Sequence, residues 1–317
     1  MSVWRLALAS LQQHIPAMLL YVVESKGSSP GRQGFFMVVN ASGAMEGSIG
    51  GGIMEHKFTE MARETLRQGT SIRSLRRQVH DKEVVKDQSG MICSGEQTLL
   101  LFSLHAADLE TLEQLLTSLG QYRNGALKLS PAGLSFSPAP PQRDHYFEQL
   151  SEEEWVYEER TGYRDHLFIV GGGHCALALS KVMRMMDFYI SLFDDREDLD
   201  SVIRNEYAHE RAFLKDYDEL QQRVAGDVRY HYIVVMTQGY RTDDRAVRAL
   251  LAKDFRYFGL LGSKTKIEKM LTAYRRDGMP EERLNKLHAP AGMAIHSQTP
   301  EEIAISIAAE IIGVRNG

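Results

Sequence analysis

Short apolar runs alternate along the chain with polar stretches rich in glycine, serine and proline, and the rhythm changes near the middle. The first half is mixed. Trp4 to His14 carries Leu6, Leu8 and Leu11 at helical spacing, and Ala17 to Val23 is a β-type run that stops at Glu24-Ser25-Lys26-Gly27-Ser28-Ser29-Pro30. Phe35 to Val39 predicts a second strand, closed by the turn signal Ala41-Ser42-Gly43. Gly47-Ser48-Ile49-Gly50-Gly51-Gly52 opens a helix predicted from Ile53 to Gln68. Leu75 to Val79 and Gln97 to Phe102 read as further strands, and Asp108 to Leu119 as a helix with Leu109, Leu112, Leu115 and Leu116 on one side. From Ser130 to Arg164 the chain reads as loop. Pro138, Pro140 and Pro141 interrupt any helix or central strand, and only Trp155 to Glu159 looks like one last strand.

After Asp165 the alternation becomes regular. Apolar runs at 167–170, 189–193, 211–214, 230–236 and 257–261 are separated by helical patterns, the order of a doubly wound parallel sheet. The last helix has a complete start signal: Thr299 as N-cap, Pro300 at the first helical position and Glu302 closing a capping box. The expected fold class is α/β, with a mixed α+β domain over 1–164, irregular at 130–164, and a Rossmann-like domain over 165–317.

The most specific local pattern begins the second domain. Leu167 to Val170 runs straight into Gly171, Gly172 and Gly173. A helix follows, then the strand Tyr189 to Phe193, then Asp194 and Asp195. This is the strand, glycine turn, helix, strand and acid order of a dinucleotide-binding βαβ unit, with the acid roughly 20 residues beyond the glycines. Gly171 suits a tight turn, Gly173 suits close approach of backbone to a phosphate, and Ala176 lets the helix pack on the strand. The helix start offers free N–H groups and a positive dipole end to an anion. The alternative is a degenerate unit whose glycines only make the turn.

Bulk properties narrow the classes. The 317 residues allow two domains, and 43% hydrophobic with 25% charged residues is ordinary for a globular chain. A formal net charge of -5 gives no basic field for nucleic acid. No apolar run approaches the roughly 18 residues of a membrane helix. Two cysteines, Cys93 and Cys175, make no disulfide framework, and a cytoplasmic location is the expectation. There is no CxxC or HExxH and no His/Cys cluster at zinc spacing.

Six motifs in order carry a resemblance: Gly27-Ser28-Ser29-Pro30; Gly47 to Gly52 with Glu55; Gly171-Gly172-Gly173-His174; Asp194-Asp195-Arg196; Gly259-Leu260-Leu261-Gly262-Ser263; and His288-Ala289-Pro290 with Thr299-Pro300-Glu301-Glu302. Over nearly the whole chain the sequence resembles the XdhC/CoxI family, the xanthine dehydrogenase accessory factors. The resemblance implies a maturation factor that binds molybdenum cofactor and helps deliver its sulfurated form to a molybdenum hydroxylase such as xanthine dehydrogenase. It implies a cysteine desulfurase as sulfur source, and a homodimer. Such a protein is a cofactor chaperone more than a turnover enzyme. Three positions depart from the family pattern. Ile53 stands where a cysteine usually follows the glycine run, Ser94 replaces a glycine after Cys93, and Gln238 replaces a histidine after Thr237.

A protein that holds this pterin with its dithiolene and phosphate needs anion donors and pterin hydrogen bonds, and can use a soft ligand near molybdenum. Gly50, Gly51 and Gly52 before a helix can expose N–H groups to an oxyanion, or simply form a turn. Ser28, Ser29 and Lys26 can add donors, or end a strand. Glu55 shares the motif. Cys93 is the sharpest candidate, as a thiolate near molybdenum or a sulfur carrier, against the alternative of a half-buried small residue. For Cys175, at a helix start, packing is the stronger reading. His174 is a candidate for hydrogen bonds to a phosphate or pterin, and Asp194 for a ribose or pterin contact. Gly262 and Ser263, with Lys264 and Lys266, form a second anion-friendly helix start, or a solvated face. The competing function is an NAD(P)-dependent oxidoreductase. No convincing acid/base pair for it stands out, Tyr240 with Arg241 being a poor substitute. A nucleotide sensor is a third reading.

Overall fold

The computed structural model describes residues 1–79, 95–226 and 228–317. They form two compact units, Met1–Gly162 and Tyr163–Gly317. Among the described residues no helix is long and apolar enough to cross a membrane.

In the first unit, α1 (Ser2–Gln12) precedes β1 (Ala17–Gly27), β2 (Phe36–Asn40) and β3 (Met45–Gly47). Then come α2 (Gly52–Arg67), β4 (Arg73–Val79), β5 (Gly95–Ser103) and α3 (Leu109–Gly120). The strands β3-β2-β1-β5-β4 make a five-stranded antiparallel sheet. Alternation along β1 splits its side chains between two cores. Leu20 and Val22 face α2 through Met54, Phe58 and Ala62, whereas Leu19 and Tyr21 face α1 and α3 through Trp4, Leu112 and Leu115. The strand does not stop at Glu24 as its sequence suggests. A register shift between Val22 and Glu24 lets pairing with β5 continue to Gly27.

Residues 130–164 are not irregular. They contain most of a second antiparallel sheet, β6 (Gly125–Ser130), β7 (Gly133–Ser137), β8 (His145–Gln149) and β9 (Trp155–Thr161), in the order β7-β6-β9-β8. The prolines that argued against strands lie in the connection between the edge strands β7 and β8, where no ladder hydrogen bond is lost. Leu127, Leu129, Trp155 and Tyr157 of this sheet join the same core as Leu19 and Tyr21.

The second unit is the expected α/β half. Its elements are β10 (His166–Val170), α4 (His174–Arg184), β11 (Tyr189–Asp194), α5 (Asp200–Ile203), β12 (Glu210–Phe213) and α6 (Leu220–Arg223). They continue with β13 (His231–Val235), α7 (Tyr240–Leu250), β14 (Tyr257–Leu260), α8 (Lys264–Arg276), α9 (Glu281–Leu284), β15 (Leu287–His288) and α10 (Pro300–Asn316). All pairings are parallel, in the order β12-β11-β10-β13-β14-β15. Numbered within the unit this is 3-2-1-4-5-6, the order of dinucleotide-binding sheets, with its topological switch between β10 and β13. Both faces are covered, which explains the unbroken apolar runs of the strands. Phe168, Val170, Ile233 and Val235 pack with Val247, Leu250, Ile267 and Met270. Leu167, Ile169, Ile190 and Val234 pack with Leu179, Met183, Ile307 and Ile311. The Thr299 and Glu302 capping box opens α10 as its sequence predicts.

Candidate functional site

Two groups of motif residues come together, one in each unit. In the first unit the loop after β1 and the glycine loop before α2 lie backbone against backbone. A Cβ on Gly50 would stand 2.4 Å from the Gly31 nitrogen, and one on Gly31 would stand 2.1 Å from the Ile49 carbonyl oxygen. Gly95, at the start of β5, is pressed equally against the Ser28 carbonyl. Buried Gln97 donates from Nε2 to the Gly31 carbonyl at 2.8 Å. Cys93 lies outside the described residues.

The chemistry of this cluster differs from the expected oxyanion cradle. Glu55, one turn into α2, accepts the N–H groups of Ile49 (2.9 Å) and Gly51 (3.0 Å) and the Ser48 hydroxyl (2.7 Å). The Gly50 N–H is taken by Ser48 Oγ at 3.1 Å. Burial pushes the Glu55 carboxyl up, but these donors outweigh it and hold the group below its usual range. The chain's own carboxylate therefore fills the place given to an external anion, and Gly50 and Gly51 serve the loop rather than a ligand. Ser29 closes its own turn by donating to the Gly31 carbonyl, while Ser28 is exposed. Gly52 begins α2, so its N–H remains among the unpaired donors of a first helical turn.

In the second unit the motifs gather at the C-terminal ends of β10, β11, β13 and β14, where open α/β sheets bind ligands. Gly171 has φ +107°, and a Cβ there would stand 2.4 Å from the Met236 carbonyl oxygen, so only glycine fits. Gly173 is the N-cap of α4, and a Cβ there meets nothing within 4 Å. That open space above a first helical turn suits a phosphate. His174 is exposed on the same turn. Thr237 lies beside Gly171 and donates its N–H (2.9 Å) and hydroxyl (2.6 Å) to Asp243 Oδ1. Fully buried Asp243 pairs with Lys266, whose ammonium also donates to the Leu261 carbonyl at 3.2 Å. Ser263 caps α8 by accepting the Lys266 N–H. The Gly262-Ser263 turn is thus tied to the glycine turn through Lys266, Asp243 and Thr237. Lys266 is committed to this ion pair and is not a free anion donor.

Asp194 is also committed. It is 2% exposed and accepts the Gly172 N–H at 2.6 Å, the Arg196 N–H at 2.9 Å, and Arg196 Nε and Nη2 at 2.8 Å each. Burial raises its pKa, yet the guanidinium and the two N–H donors prevail and hold the carboxyl below its ordinary value. It positions Arg196 and the turn and does not face a ligand as a free acid. Cys175 packs against the α4 and α10 core. Burial, with Glu301 adding to it, pushes the thiol up, the opposite of a helix-activated nucleophile. His288 and the Gly292 N–H both bond Glu310, so the His288-Ala289-Pro290 motif anchors α10. Sequence reading missed Asp243, which meets Lys266 only through a tertiary contact between two helix starts, and it named Arg196 and Thr237 without assigning them Asp194 and Asp243 as partners. One further pair resembles catalysis without supporting it. Ser71 Oγ lies 2.6 Å from His105 Nε2, but Nδ1 faces Arg73. A guanidinium only donates, so Nε2 carries the proton and cannot accept one from Ser71.

The domain described as "XdhC Rossmann domain" matches residues 167–311, and the family described as "XdhC and CoxI family" matches residues 10–77. The chain belongs to the XdhC/CoxI family. Among curated proteins it is 25% identical over 311 residues to Escherichia coli K12 "Uncharacterized protein YqeB", covering 96% of this chain and 44% of that protein. It is 33% identical over 82 residues to a "Probable xanthine dehydrogenase" subunit of Bacillus subtilis 168, covering 26% of this chain and 23% of that protein. The chain therefore spans less than half the length of these relatives. A crystal structure from Bacillus halodurans, described as a xanthine dehydrogenase, superposes with a TM-score of 0.70 at 22% identity over 100% of this chain and 96% of that one. That likeness concerns the fold.

Proposed function

We propose that this protein is an accessory factor that binds molybdenum cofactor and helps its sulfuration and insertion into a xanthine dehydrogenase-type molybdenum hydroxylase in the cytoplasm. The observation that carries the reading is the presence in one chain of an XdhC/CoxI segment at 10–77 and an XdhC Rossmann segment at 167–311, the second bearing a phosphate-suited glycine turn. The N–H groups at Gly173 and His174 would hold the cofactor's phosphate, with Gly171 and Thr237 fixing the turn. When bound, the cofactor supplies the molybdenum–dithiolene centre, and this chain's residues bind, orient and shield it. Cys93 is the proposed thiol for contact with the metal or for carrying sulfur from a cysteine desulfurase. A homodimer is the proposed assembly.

The strand order also favours a dinucleotide, which keeps an NAD(P)-dependent oxidoreductase as the second reading. Hydride transfer needs an acid or base beside the nicotinamide. At this crevice, among the described residues, Asp194 is locked to Arg196 and Asp243 to Lys266. The test is activation of an apo-hydroxylase by the purified chain with free cofactor. Activation above the level of cofactor alone is expected, with a decrease in Cys93→Ala. No activation, together with turnover of NAD(P)H, would establish the oxidoreductase instead.

A further inference from the structure

In a dinucleotide-binding sheet the carboxylate at the end of the second strand accepts the two hydroxyls of the adenine ribose. Asp194 occupies that place and has no capacity left for them. A carboxylate offers about four acceptor sites. Oδ1 takes the Arg196 N–H and Nε, and Oδ2 takes the Gly172 N–H and Arg196 Nη2. The guanidinium lies fork to carboxylate, the strongest arrangement available to this pair. Its remaining terminal nitrogen, Nη1, reaches Gln238 Oε1 at 3.4 Å. Asp194 ends β11 and Gln238 follows β13, and these two strands flank β10. Arg196 therefore spans the mouth in front of the glycine turn.

The chain fills the β11 side of that turn a second time. Ser201 of α5 donates its hydroxyl to the Gly172 carbonyl, and a Cβ on Gly172 would stand 2.1 Å from Val202 Cγ2. Gly173, by contrast, faces open space. A phosphate has room on this turn, while the seat beside it is taken by the protein's own side chains. The acidic residues that follow, Asp195, Glu197 and Asp198, are exposed and give a second phosphate at that seat no compensation.

We propose that Arg196 makes the second unit a ribose-excluding Rossmann domain. Its guanidinium consumes the Asp194 oxygens that would bind a ribose diol, so the crevice takes a phosphate-terminated ligand and turns dinucleotides away. The inference deepens the cofactor reading above and rests on the same glycine turn, but it is tested separately.

The experiment titrates the full chain with NAD(H) and with ADP-ribose, for the wild type, Arg196→Ala and Arg196→Gln. The wild type is expected to show no saturation below millimolar ligand. Either variant frees acceptor sites on Asp194 and is expected to gain at least about tenfold in affinity for both probes, the effect of regaining hydrogen bonds to a charged group. Thermal unfolding identifies a variant that has lost its fold, and the wild-type titration stands without either. Micromolar NAD(H) binding by the wild type overturns the proposal. So does a folded variant that gains nothing. Gained NAD(H) binding in a variant, with no pterin retained by the wild type, supports ribose exclusion and removes the cofactor reading.

Discussion

Lys266, in the first turn of α8, forms an ion pair with Asp243, which is 0% exposed near the start of α7. The pair joins two helix starts at the ligand-binding edge of the parallel sheet. Removing one partner leaves an uncompensated buried charge. Lys266→Ala is therefore expected to cost about 3 kcal/mol or more. The lysine side chain is 23% exposed, so water offsets part of the loss. Urea unfolding measures it, and most of the loss is expected to return in Lys266→Ala with Asp243→Asn. A cost under about 1 kcal/mol, typical of a surface pair, would contradict the assignment.

Glu159 on β9 lies between the two sheets of the first unit. It accepts the hydroxyl of Tyr157 at 2.8 Å and that of Tyr21. Burial pushes its pKa up to about 7, the tyrosine donors opposing only part of the shift. The folded state then keeps a proton that an unfolded glutamate releases near about pH 4.3. Between those values the native state binds more protons than the unfolded state, so stability falls as pH rises and levels off above about 7. Glu159→Gln is expected to remove this slope. Urea midpoints of both proteins between the two pKa values check it, and parallel curves would refute it.

Glu55 has the opposite sign. Its folded pKa is depressed, so its contribution is present above the ordinary glutamate value and is lost as pH falls through the lowered folded value. Glu55→Gln is expected to cost about 1–2 kcal/mol near neutral pH, through weaker acceptance of the Ile49 and Gly51 N–H groups. The difference from wild type should shrink in acid. A pH-independent difference would mean the side chain acts by packing alone.

These sites show what sequence could and could not reveal. The βαβ segment was legible because each part is local: an apolar strand, a turn that only glycine permits at Gly171, and an acid at the next strand end. The second sheet of the first unit was not. Its strands are short, and Pro138, Pro140 and Pro141 hide a connection between edge strands. The glycine loop was correctly placed before α2, but its apparent anion site is occupied by Glu55, a partner that spacing alone does not assign. Asp194 stood out as an acid at the right position. That Arg196, two residues on, saturates it is a matter of side-chain geometry. Asp243 and Lys266 are far apart in sequence and meet only when α7 and α8 pack on the same sheet.

Gly171 and Gly173 separate folding from binding. Alanine at 171 meets the Met236 carbonyl and a positive φ, so Gly171→Ala is expected to lower the melting temperature by several degrees. Alanine at 173 meets no atom within 4 Å at φ -68°, so Gly173→Ala should fold normally. Equal melting temperatures for the two variants would show that the turn is misassigned.

The most direct measurement of the central claim is the pterin and molybdenum content of the full chain after incubation with molybdenum cofactor and gel filtration, for the wild type and for Gly173→Ala. The account predicts stoichiometric retention by the wild type and a loss of at least about tenfold in the folded Gly173→Ala variant, whose new methyl occupies the phosphate's space. A wild type that retains neither pterin nor molybdenum would contradict it, as would a Gly173→Ala protein that retains both undiminished.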